Sequence, residues 1–131
     1  MTEDAGPYFA NDPEAQSSAQ GTWVTWSDLE PLPMMGLQFQ PIVGDKLMVN
    51  FVRFPPHRHA PLHWHDEEQI AFVLEGELEF TVAGETRTLR RGDAVVIAPN
   101  VPHEARTHDE GCLQVDVFHP PRKGVLEAMG R

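Results

Sequence analysis

The sequence predicts an all-β domain, and three features carry that expectation. Short apolar runs are cut by Gly and Pro at intervals of about 8–12 residues, the rhythm of strands and turns in a small sandwich or barrel. Several of those runs alternate polar and apolar side chains with period two, as strands buried on one face do. No stretch ahead of Lys123 supports a helix longer than one or two turns.

Taken in order, residues 1–22 hold four acids, no Lys or Arg, and many Ala, Ser, Gln and Gly. Such a segment buries too little to offset its ordering entropy and is expected to be a mobile acidic arm, or else to drape over a partner subunit. The folded domain is expected over residues 23–122, with Trp23 and Trp26 anchoring its start. Its expected strands are Leu37–Ile42, Leu47–Phe54, Gln69–Glu75, Glu77–Val82, Glu85–Leu89, Ala94–Ala98, Glu104–Thr107 and Leu113–Phe118. Glu75-Gly76-Glu77, Ala83-Gly84-Glu85 and Arg91-Gly92-Asp93 read as turns between them. Residues 123–131 form a short tail in which Val125, Leu126 and Met129 line one helical face.

In the last strand Leu113, Val115 and Val117 point one way, and Cys112, Gln114, Asp116 and Phe118 the other. Leu47–Phe54 likewise sets Asn50 and Arg53 on opposite faces among apolar neighbours. Isolated polar residues mixed with aromatics fit the lining of a barrel cavity, or equally an ordinary edge strand with a few satisfied polar groups.

Composition narrows the function classes. The chain has 131 residues, 40% of them apolar, which is one domain with one core. No apolar run approaches the ~20 residues of a membrane span, and no secretory signal is visible at the N-terminus. A single cysteine, Cys112, allows neither an internal disulfide nor a thiolate zinc site; a buried filler in a reducing cytoplasm is expected. The net charge of −10 argues against nucleic-acid and membrane-surface binding, which rely on Lys and Arg. It leaves small anionic substrates open, because a bound cation reverses the local field.

The seven histidines cluster. In an extended chain, His63 and His65 share a face with Cα atoms about 6.6 Å apart, so both imidazoles can converge on one ion at about 2.0–2.1 Å. Gln69 opens the next strand on the face of Ala71 and Val73, and its amide oxygen can reach the same ion. His103, held by the Pro99-Asn100-Val101-Pro102 turn, is the best fourth donor. A pair of exposed surface histidines is the plain alternative for His63 and His65. His57 and His59, set between prolines, read as surface or mouth residues, and His108 and His119 as exposed. Trp64 points away from the flanking histidines, toward a sheet or subunit interface. Asp66-Glu67-Glu68 reads as a solvated acidic loop at the barrel mouth.

These residues resemble the two motifs of the cupin superfamily. The first is His63-Trp64-His65, three residues, Gln69, six residues, Gly76; the second places Gly92, Pro99 and His103 around a strand. The resemblance implies a single cupin β-barrel, jelly-roll-like with two facing antiparallel sheets. It further implies one divalent metal ion (nickel, manganese, iron or zinc) and a homodimer. Gln69 departs from the Glu that most cupins carry, and Glu68 is the alternative ligand, at the cost of the spacing to Gly76 and of strand parity. Three imidazoles and an amide leave the ion's charge uncompensated, which favours Lewis-acid duty over oxidised metal chemistry.

The ending Asp116-Val117-Phe118-His119-Pro120-Pro121-Arg122 is similar to that of the KdgF-type pectin- and alginate-degradation cupins. That group converts cyclic 4,5-unsaturated uronates to linear keto forms. The resemblance implies His63, His65, Gln69 and His103 as ligands, with Asp116, Phe118 and Arg122 around the substrate. Asp116 suits proton shuttling, Arg122 offers a planar fork for a carboxylate, and Phe118 a flat wall. The plainer readings are an Asp116 ion pair with Arg53 or Arg122, a surface Arg122, and a core Phe118. The expected function is non-redox ring opening or isomerisation of a small anionic sugar derivative. An iron or nickel dioxygenase, or a cupin that binds a small ligand without turnover, are the competing expectations.

Overall fold

The computed structural model describes residues 6–131. Residues 1–5 of the expected arm lie outside the described residues. From Pro7 to Thr22 the chain is exposed, with one helical turn, α1 (Gly6–Phe9), and a 3₁₀ turn at Pro13–Ala15. Among the described residues there are nine strands: β1 (Leu32–Met34), β2 (Leu37–Val43), β3 (Met48–Phe54), β4 (His59–His63), β5 (Glu68–Val82), β6 (Glu85–Arg90), β7 (Ala94–Ile97), β8 (His103–Arg106) and β9 (Cys112–His119). A short helix, α2 (Lys123–Ala128), follows. No helix among the described residues is long and apolar enough to cross a membrane.

All strand pairs are antiparallel and form two facing sheets. One runs β1-β2-β3-β9-β5-β7, the other β6-β5-β8-β4. Side chains from both fill one core, in which Val52 and Phe54 meet Leu78, Phe80, Leu89 and Ala105. The sheets share β5, and that corrects one expectation. Glu75-Gly76-Glu77 is not a hairpin turn: β5 runs straight through it with a register shift between Val73 and Glu75. Buried positions switch from the odd Gln69, Ala71 and Val73 to the even Leu78 and Phe80, as an extra residue in a bulge requires. Gly76 makes the switch possible. Its φ is +77°, and a Cβ there would overlap the carbonyl oxygen of Gly111, in the segment that leads into β9.

The other two turns stand. Ala83 and Gly84, at φ 50° and 81°, form a two-residue hairpin loop of the kind that needs positive φ at both positions. Gly92, at φ 91°, turns the chain between Arg90 and Asp93, where Asp93 N–H donates to Arg90 O at 2.8 Å. Strands β1 and β4 were not expected. Each lies at one end of the strand path and contains a proline, Pro33 or Pro61, which an end strand tolerates because one side of its ladder is unpaired. Trp26 stacks on Phe51 (centroids 4.4 Å apart, planes 5°), as an anchor should. Trp23 does not: it is 95% exposed, because the sheet begins only at Leu32. Trp64 is also exposed. Cys112 is buried, and burial pushes its thiol up to about 12, fitting an inert filler. In α2, Val125 packs with Met48 and Phe118, and Leu126 beside them, so the tail covers one end of the barrel.

Candidate metal centre

Strand parity delivers the candidate side chains to one point. His63 closes β4, and its Cα partner across the ladder is His103, the first residue of β8. His65 follows in the loop to β5, tied down where Asn100 N–H donates to His65 O at 2.7 Å and Asn100 Nδ2 to Asp66 Oδ1 at 2.9 Å. This is how the Pro99–Pro102 turn seats His103 beside the first two histidines. The ring centroids of His63 lie 4.3 Å from those of His103 and 5.5 Å from those of His65; His65 and His103 are 5.0 Å apart.

The three rings are oriented alike. His63 Nδ1 donates to Pro61 O at 2.8 Å, His65 Nδ1 to Glu67 O at 3.0 Å and His103 Nδ1 to Val101 O at 2.8 Å. A carbonyl only accepts, so each Nδ1 carries the proton and each Nε2 keeps a free lone pair, the form a metal takes. One ligand atom from each ring lies within 4.8 Å of the others. His103 Nε2 is buried without a hydrogen-bond partner. Burial, reinforced by the neighbouring rings, drops His103 to about 4, and burial with the Arg122 cation lowers His65. These are neutral donors built to meet a cation, and the chain's own residues fit a metal ion.

Gln69 is buried and Glu68 exposed on the opposite face. Gln69 Oε1 lies 3.1 Å from His65 Nε2, and its Nε2 donates to Asp116 Oδ1 at 2.7 Å. Asp116 takes a second amide on the same oxygen, from Gln114 Nε2 at 2.7 Å. Burial pushes Asp116 up to about 7 against the pull of those two donors. Neither ion pair considered for Asp116 forms. Arg53 is on the outer face beside Glu75 at 3.8 Å, and Arg122 Nη1 lies 3.7 Å from Glu67 Oε1. Arg122 is accordingly not a surface cation but a lining residue of the cavity, with Phe118, whose ring meets His65 edge-on at 5.7 Å. The cavity is about 370 Å³, and Phe39, Val52, Phe54 and Phe80 supply much of its apolar wall.

Glu67 corrects the solvated-loop expectation. Asp66 and Glu68 are exposed, but Glu67 is 5% exposed. Its Oε2 accepts the Lys123 N–H at 2.6 Å and its Oε1 lies 3.4 Å from His65 Nδ1. Burial alone would raise this carboxyl; the Lys123 N–H and the Arg122 cation outweigh it and hold the group below the usual range. Parity was the available signal, since Glu67 falls on the same alternation as His63, His65 and Gln69. His57 pairs with Asp109 at 3.2 Å, His59 with Glu104 at 3.0 Å and His108 with Glu79 at 2.6 Å, all outside the cluster.

The cupin domain family matches residues 50–118, the stretch that carries the cluster. The pectin degradation protein KdgF of Dickeya dadantii (strain 3937) is 36% identical over 84 residues, 63% of this chain and 76% of that protein. H2HPP isomerase of Bacillus subtilis is 37% identical over 83 residues, 61% of this chain but only 34% of that protein. Among solved structures, KdgF from Halomonas sp. superposes with a TM-score of 0.75 at 27% identity, covering 81% of this chain and 99% of the other. A RmlC-like cupin from Shewanella frigidimarina NCIMB 400 gives a TM-score of 0.74 at 26% identity, covering 81% and 96%. By its barrel, its histidine cluster and these likenesses, this chain belongs to the cupin family and is a KdgF-like cupin.

Proposed function

We propose that this cupin is a metal-dependent isomerase or lyase that opens the ring of a small anionic sugar derivative, with a 4,5-unsaturated uronate as the type substrate. His63, His65, Gln69 and His103 would hold one divalent ion, nickel, manganese, iron or zinc. Bound there by four neutral donors, that ion supplies Lewis acidity toward a substrate oxygen.

The chain's own residues do the rest. Arg122, steadied by Glu67, presents its fork to the substrate carboxylate. Phe118 walls the ring. Asp116 takes the hemiacetal proton as the ring C–O bond breaks, and returns a proton to carbon as the enol becomes a ketone. Gln69 and Gln114 fix Asp116 Oδ1, leaving its other oxygen for this exchange. No external oxidant or reductant enters the balance. The observation that carries the reading is Asp116 itself: a buried carboxyl beside the histidine cluster, oriented by two amides and raised to about 7.

The same proposal keeps the described part of the N-terminal segment, residues 6–22, as an arm outside the domain, 23–122 as the catalytic domain and 123–131 as a tail. It also places the protein in the cytoplasm as a homodimer. Pairing is supported by the outer face of β5 and β7, where the cross-strand partners Ile70 and Val96 are 40% and 65% exposed.

The test is turnover of an unsaturated uronate monosaccharide by metal-restored protein, followed as loss of the conjugated enol-acid absorbance. Wild type is expected to turn over without consuming oxygen, and Asp116→Asn to retain metal and lose activity. Full activity in that variant, or oxygen uptake with turnover, contradicts the reading.

A further inference from the structure

Two buried polar atoms among the described side chains have no hydrogen-bond partner, His103 Nε2 and Asn50 Oδ1. The first belongs to the point where the imidazoles converge. The second has no such account. Asn50 is 1% exposed, and its carboxamide makes no hydrogen bond with any described residue. Leaving a buried amide unpaired is costly, and the inward neighbours on the same strand, Met48 and Val52, show what packing alone selects here. Asn50 is therefore shaped for something the chain does not supply.

Its place in the sheet indicates what. Asn50 is the Cα partner of Asp116 across β3 and β9, so the two side chains stand together on the inner face, with Cβ atoms about 4.5–5.5 Å apart. Both line the cavity. The Oδ1 of Asp116 is already engaged by Gln69 and Gln114. A substrate group that meets the Asp116 carboxyl from the cavity therefore stands beside Asn50 as well. A carboxamide offers an acceptor and two donors, which matches a hydroxyl, itself donor and acceptor. It carries no charge and so does not compete with Arg122 for a carboxylate.

We infer that Asn50 is a specificity-determining residue that reads a substrate hydroxyl next to the atom reacting with Asp116. This rests on the anionic-sugar reading and narrows it to ring acids bearing hydroxyls on the β3 side, against flat apolar acids that the aromatic wall would otherwise accept. A site built to pair a hydroxyl discriminates against ligands that lack one, because its own polar group is then left unpaired.

The test uses metal-loaded wild type and Asn50→Leu, a change that keeps the branched shape, adds some bulk and removes both ends of the amide. Calorimetric titration compares D-galacturonate, a hydroxylated ring acid without the enol, with cyclohexanecarboxylate, a ring acid without hydroxyls. Wild type is expected to favour galacturonate. Asn50→Leu should weaken galacturonate by about tenfold or more, leave cyclohexanecarboxylate equal or tighter, and hold or raise the melting temperature, because no orphan amide remains. Asn50→Ala should show the same ligand-selective loss if Leu crowds the sheet. Equal loss on both acids, no loss on galacturonate, no galacturonate binding by wild type, or a melting temperature several degrees lower in both variants overturns the inference. The ring-opening reading fails separately: selective galacturonate binding with no turnover of the unsaturated uronate would sink that reading and leave Asn50 in place.

Discussion

Gln69 and Asp116 share one hydrogen bond that joins the histidine cluster to the titratable carboxyl: Gln69 Nε2 donates to Asp116 Oδ1 at 2.7 Å while Gln69 Oε1 sits 3.1 Å from His65 Nε2. Only an amide can present an oxygen to a cation and an N–H to a carboxylate at once. This is a physical reason for Gln at a position where a carboxylate would otherwise serve as ligand. Gln69→Glu should keep one metal per chain yet lower kcat by about 10²-fold or more, since two facing carboxylates compete for one proton. Elemental analysis with steady-state kinetics checks it; wild-type kcat in that variant would refute the coupling.

Asp116 gives a stability prediction with a definite sign. Burial raises its folded pKa from the ordinary 3.8 to about 7, so between those values the folded state binds more protons than the unfolded chain. Stability from this group is therefore fully present below about pH 4 and declines as pH rises toward 7. Asn keeps the acceptor oxygen for both amides and carries no charge. Metal-stripped Asp116→Asn should melt several degrees above wild type at pH 8 and converge with it near pH 4. Thermal melts at the two pH values decide this.

Glu67 links the ligand loop to the tail: Lys123 N–H, Arg122 and His65 all converge on its carboxylate. Glu67→Ala strands the Lys123 N–H and should cost about 1–3 kcal/mol. It should also release Arg122, raising KM for the uronate several-fold with a smaller effect on kcat. Glu67→Gln keeps the acceptor for Lys123 and is expected to recover most of the stability but not the KM. Denaturant melts and Michaelis kinetics separate the two effects.

The alternation in β3 and β9 and the spacing of His63, His65, Gln69 and His103 made the cavity face and the histidine cluster readable from sequence, because strand parity acts locally. Gly76 reads as a hairpin in the sequence because a glycine in a turn and a glycine in a bulge look alike until the Gly111 backbone beside it is seen. Glu67 reads as solvated in the sequence because two exposed acids flank it and two of its partners, Arg122 and Lys123, lie 55 or more residues away. Trp23 carried a hydrophobic signal that the later start of the sheet leaves unused.

The bulge makes its own prediction. Gly76→Ala forces a Cβ into the Gly111 carbonyl at a positive φ, so the variant should lose several kcal/mol, about 3 or more, or fail to fold. A hairpin glycine at positive φ with open space around it would lose only about 1–2 kcal/mol. Equilibrium unfolding distinguishes these.

The central claim is that three Nε2 lone pairs and the Gln69 amide oxygen share one cation, and anomalous diffraction from crystals soaked in a divalent metal tests it most directly. The account predicts a single strong peak about 2.0–2.2 Å from His63, His65 and His103 Nε2 and from Gln69 Oε1. A peak held by Glu68 or by the His57–His59 pair, or no peak among these rings at saturating metal, would contradict it.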